Sequence, residues 1–67
     1  MKTIDLRSGA LVTGPGVKPM QRLLGVAADG KAGVNTRAAL GNAQSRLFGH
    51  ADYQFGPDTA SALLSGR

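Results

Sequence analysis

Sixty-seven residues with no cysteine set the first bounds: one small domain, held by a single apolar core or by a partner, without disulfide staples or thiolate metal sites. The formal charge of +4, from eight Lys and Arg against four Asp and no Glu, favours encounter with anionic surfaces, but the cations are scattered and not interleaved with aromatics, which argues against a dedicated nucleic-acid binder. No apolar run approaches the roughly 20 residues that cross a bilayer, and the start of the chain carries neither a basic-to-apolar leader nor a small-residue cleavage site, so no signal peptide is expected.

In chain order, residues 1–16 read as an arm. Thr3-Ile4-Asp5-Leu6 and Ala10-Leu11-Val12-Thr13 flank Arg7-Ser8-Gly9, which predicts a β-hairpin with Gly9 at positive φ, or else an extended segment. A two-stranded hairpin is marginal alone, so it packs on the remainder or lends an edge, with Ile4 and Leu6, to another chain. Gly14-Pro15-Gly16 marks a boundary. Residues 17–67 then carry three helices. The first runs from Val17 to Leu24, with Pro19 in its first turn, Val17, Met20 and Leu24 on one face, and Gly25 as the stop. A second, from about Val34 to Phe48, places Leu40, Ala43 and Leu47 on its stripe. Gly41 inside it costs about 1 kcal/mol relative to Ala, which predicts a close backbone neighbour or a bend. The third opens after Gly56 with Pro57 at its first position and Asp58 beside its positive end, and closes with Leu63 and Leu64 in the core.

The chain repeats itself. Ala28-Asp29-Gly30-Lys31-Ala32-Gly33-Val34-Asn35-Thr36 returns as Ala51-Asp52-Tyr53-Gln54-Phe55-Gly56-Pro57-Asp58-Thr59, and Val17, Met20, Gln21 and Leu24 return as Leu40, Ala43, Gln44 and Leu47, all at a stride of 23. Each copy reads as a turn, a glycine and a threonine in the first turn of a helix. Gly33 and Gly56 are expected at positive φ, where a branched side chain is excluded. The paired Asp29 and Asp52 read as turn caps rather than calcium ligands, since alternate oxygen ligands and a closing acid are missing. His50, the only histidine, has no second imidazole or thiolate to make a zinc site. The serines lack a supporting base and the acids occur singly, so neither nucleophilic nor paired-carboxylate catalysis is expected, and no cofactor.

These motifs, in this order, resemble the three-helix peptidoglycan-binding domain, in which V-x-x-L-Q-x-x-L is followed by D-G-x-F-G-P-x-T, a second helix, and a further D-G-x-x-G-P-x-T. The resemblance covers Val17 to about Leu64. It rests on Gln21 and Gln44, on Asp29, Gly30, Gly33 and Thr36, and on Asp52, Phe55, Gly56, Pro57 and Thr59. The chain departs from the pattern at Ala32, Ala43 and Tyr53. The resemblance implies a mainly α fold, a small three-helix bundle of duplicated helix-loop-helix units, with Gln21, Gln44, Thr36 and Thr59 in structural roles. It also implies a non-catalytic module that docks on bacterial cell-wall glycopeptide through the groove between the first helix and the Asp29 to Gly33 loop, with Arg22, Asp29 and Lys31 as candidate contacts. Tyr53 stands where the family has Gly; turned outward, its phenol would meet a sugar or a partner's pocket. The alternative is a small virion structural protein, from a phage, that reuses the fold for protein–protein assembly through its arm. Either reading places the chain at a cell envelope or in a phage particle, without membrane insertion.

Overall fold

The structure, a computed structural model, describes residues 3–65. Its elements are β1 (Ile4–Asp5), β2 (Val12–Thr13), α1 (Val17–Leu24), β3 (Lys31–Ala32), α2 (Val34–Phe48), β4 (Gln54–Phe55) and α3 (Pro57–Leu64). The three helices run between the expected limits, and local chemistry explains why. Gly25, at φ 77°, ends α1 in the left-handed conformation. The Gly25 N–H donates to Arg22 O and the Val26 N–H to Gln21 O, a Schellman closure of the last turn. Gly49, at φ 81°, ends α2 in the same region and donates to Ser45 O. Pro57 opens α3, where its missing N–H costs nothing, and Asp58 lies in the same turn.

The architecture is mixed α/β rather than a pure helical bundle. Among the described residues there are two antiparallel two-stranded sheets, β1 with β4 and β2 with β3. The expected hairpin is replaced by two long-range pairings: Ile4 lies opposite Phe55 and Asp5 opposite Gln54, while Val12 lies opposite Ala32 and Thr13 opposite Lys31. The turn at Gly9 does form, with φ 79° and its N–H on Leu6 O. It sends the chain onward to the second sheet instead of back along the first. Each strand of the N-terminal segment thus completes one copy of the repeat.

The core gathers Ile4, Leu6, Val17, Met20, Ala32, Leu40, Phe55 and Ala60, with Val12, Leu23, Leu24 and Leu63 half-buried against it. Leu64, expected in the core, is 73% exposed. Ala32 and Phe55, equivalent in the repeat, are both buried, so one copy fills this position with a ring and the other with a methyl. The N-terminal segment contributes Ile4 and Leu6 to the core and is part of the body, not a free arm.

Two backbone expectations are corrected. Gly33 (φ −100°) and Gly56 (φ −114°) are extended, a conformation open to any residue. Positive φ falls three positions earlier, at Gly30 (80°) and at its counterpart Tyr53 (58°). The second concerns Gly41, where a side chain rather than a backbone approaches. The Tyr53 ring lies so close that an added Cβ would sit 2.5 Å from its Cε1.

Candidate functional site: two amide clamps and the grooves beside them

The duplicated residues build the same hydrogen-bonded clamp twice. Buried Gln21 donates from Nε2 to Asp29 Oδ1 (2.9 Å), Lys31 O (3.1 Å) and Thr36 Oγ1 (3.1 Å), and accepts from the Gly30 N–H at Oε1 (3.0 Å). Gln44 donates to Asp52 Oδ1 (2.8 Å), Gln54 O (2.9 Å) and Thr59 Oγ1 (3.2 Å), and accepts from the Tyr53 N–H (3.0 Å). Two N–H groups serving three acceptors means that one bond in each clamp is shared. Only one orientation of the amide works, since the carbonyl needs the nitrogen end and the turn N–H needs the oxygen end. Each Asp also accepts from the backbone two residues on, Lys31 N at 2.9 Å and Gln54 N at 3.0 Å.

These bonds hold both carboxyls below the usual carboxylate range. For Asp29 the Lys31 N–H is the larger cause and the Gln21 amide the next. For Asp52 the Gln54 N–H leads, opposed by desolvation and reinforced by Gln44. Gln21 and Gln44 thus tie each turn to the buried threonine of the helix that follows it, Thr36 and Thr59 respectively. The two threonine hydroxyls act as acceptors of the amide nitrogens.

A groove lies beside each clamp. The first, of about 560 Å³, runs between the 26–31 loop and the start of α2, with Leu11, Val26, Ala27 and Val34 supplying aliphatic lining and Lys31 and Asn35 polar rim. Leu11 is 60% exposed and Val34 76%. The second, of about 210 Å³, is lined by Gln44, Phe48, His50, Asp52, Asp58 and Thr59. Duplication of the scaffold has thus given two concavities of different chemistry, since Phe48, His50 and Asp58 stand at the repeat positions of Gly25, Ala27 and Asn35.

The candidate contacts are dispersed by the fold. Asp29 and Lys31 line the first groove. Arg22 is exposed on the last turn of α1 and lies outside the groove lining. Ile4 and Leu6, expected to meet a partner, are 8% and 1% exposed because β1 pairs with β4 and turns their side chains inward. Tyr53 does not stand outward either. Its ring is held between Gly41 and the Arg37 guanidinium, whose Cζ lies 3.9 Å from the ring centroid. Arg37 in turn donates from Nε to Leu6 O (2.9 Å), and Leu6 N donates to Tyr53 O (2.9 Å), so this stack ties the N-terminal segment to the second clamp. The groove residues Leu11, Val26, Val34 and Asn35 carried no functional expectation from sequence. The available signal was that Leu11 and Val34 are large apolar residues off every predicted core stripe.

Among the described residues no three His or Asp side chains converge as metal donors, and no helix is long and apolar enough to cross a membrane. Compared with known proteins, the chain matches no protein-family model, no curated protein and no solved structure.

Proposed function

We propose that this chain is a non-catalytic adhesion module that docks on bacterial cell-wall glycopeptide through the groove beside the Gln21 clamp. The observation that carries the reading is that groove: Leu11 and Val34 are exposed along it while Gln21, Asp29 and Thr36 behind it are locked by hydrogen bonds. A concave, apolar-lined and preorganised surface is what a binding site requires, because little ordering entropy remains to be lost on docking. The resemblance of the repeat to peptidoglycan-binding domains supplies the ligand class. The positive charge adds long-range attraction to an anionic polymer.

The test is a pulldown on purified cell-wall sacculi at low salt. Saturable retention is expected, and passage through the column removes the proposal. A second reading, an assembly role in a virion, draws on a different surface than its sequence basis did. With Ile4 and Leu6 in the core, it rests on the shallow groove of Leu47, Phe48, Ser61, Ala62 and Ser65, where Phe48 is 42% exposed. Substituting Phe48→Ser would separate the two, impairing incorporation into a particle while leaving sacculus binding intact.

A further inference from the structure

The first groove has a chemistry that distinguishes the two components of a glycopeptide. Sugar rings are commonly held by a flat aromatic face against their C–H surface, together with polar groups free to pair with hydroxyls. The three aromatic side chains of the chain are Phe48, Tyr53 and Phe55, and none lines this groove. Part of the polar lining is already engaged: the Gln21 amide bonds at both ends, Thr36 Oγ1 accepts from Gln21, and Asp29 accepts two bonds at Oδ1, leaving its Oδ2 free among the described residues. A sugar ring entering here would meet branched aliphatic side chains where a flat aromatic face would be needed to stack on it.

What the groove does offer is a row of aliphatic surface from Leu11, Val26, Ala27 and Val34, flanked by Asn35 and Lys31. Methyl and short aliphatic side chains pack well against such a lining, and no side-chain hydrogen bond among the described residues engages the Asn35 amide, which matches a peptide group donor for acceptor. The exposed Lys31 ammonium complements a carboxylate. Resting on the wall-binding reading above, we infer that this groove takes the peptide arm of the glycopeptide, a short chain of small aliphatic residues carrying a free carboxylate, and not the glycan.

Three probes test it with the full 67-residue chain: intact sacculi, sacculi stripped of peptide to bare glycan strands, and a soluble alanine-rich pentapeptide followed by amide chemical shifts. The expected result is retention on intact sacculi, loss of retention on bare strands, and shifts confined to residues around Leu11, Val26–Ala27 and Val34–Asn35. The double variant Leu11→Ser, Val34→Ser changes two exposed positions and should fold as the parent does; its affinity for the pentapeptide should fall about tenfold or more. Phe48→Ser, in the second groove, should leave that affinity unchanged. Equal retention on intact and bare sacculi overturns the peptide assignment while leaving wall binding standing. Passage through both overturns wall binding, and this inference with it.

Discussion

Gln21 and Gln44 are 1% and 2% exposed, and each is the sole amide joining a helix to the loop eight to ten residues on and to a threonine fifteen residues on. Replacing either by Ala strands the buried threonine hydroxyl and opens the turn. Water reaches the exposed Asp and offsets part of the loss, so the expected cost is about 2–3 kcal/mol by urea denaturation, alike for both sites. A loss below about 0.5 kcal/mol would mean that solvent takes over the whole network. A second residue pair sets strain against packing. Tyr53 at φ 58° occupies a conformation that costs an L-residue roughly 1–2 kcal/mol, and its ring compensates by covering Gly41. Gly41→Ala should therefore destabilise by about 1–3 kcal/mol through overpacking. In a Tyr53→Gly background the same change should stabilise by about 1 kcal/mol, since only the helix propensity gain is left. Melting the four proteins of this double-mutant cycle decides the matter, and the same sign in both backgrounds would refute the contact as the reason for the glycine.

At the scale of elements, the N-terminal segment behaves as the missing strand of each repeat. Removing residues 1–13 withdraws Ile4 and Leu6 from the core and leaves β3 and β4 without partners. Burying two such side chains is worth about 1.5–3 kcal/mol each, comparable to the whole stability of so small a domain. The truncated chain should lose most of its helical circular dichroism at 25 °C, and an unchanged melting midpoint would show the segment to be dispensable. This dependence was hidden in the sequence for a physical reason. The helices were legible because their signals are local: Gly25 and Gly49 at the ends, Pro57 at a start, apolar residues at helical spacing. Pairing Ile4 with Phe55, or Val12 with Ala32, leaves no mark within a short window, and the turn at Gly9 imitates a hairpin because two alternating runs flank it. The clamps were half legible. Their repeat announced that Gln21, Asp29 and Thr36 belong together, but not that one amide bonds both of the others, while the groove depends on Leu11 arriving from a strand whose partner could not be foreseen.

For the whole molecule, the two clamps make acid sensitivity a property of the fold. Asp29 and Asp52 have carboxyls held below the ordinary value by the backbone and amide bonds they accept, so the folded state binds protons less readily than the unfolded chain. The contribution of such groups is complete above the unfolded value, near pH 4, and is lost as pH falls through the lower folded value. The melting temperature should accordingly be level from neutrality to about pH 5 and decline below about pH 4. Asp5 is lowered too, by Arg7, but that pair is exposed on both sides and isolated surface pairs of this kind add little. The variant Asp29→Asn, Asp52→Asn keeps an acceptor oxygen in each clamp and removes the titration. It should start slightly lower at pH 7, because the amide is a weaker acceptor than the carboxylate, and then lose less on acidification, so that the two curves converge as the clamped carboxyls take up protons. An acid limb as steep as the parent's would move the cause away from the clamps, and would imply that the exposed oxygen of each clamped carboxylate is solvated too well for its bonds to distinguish folded from unfolded chain.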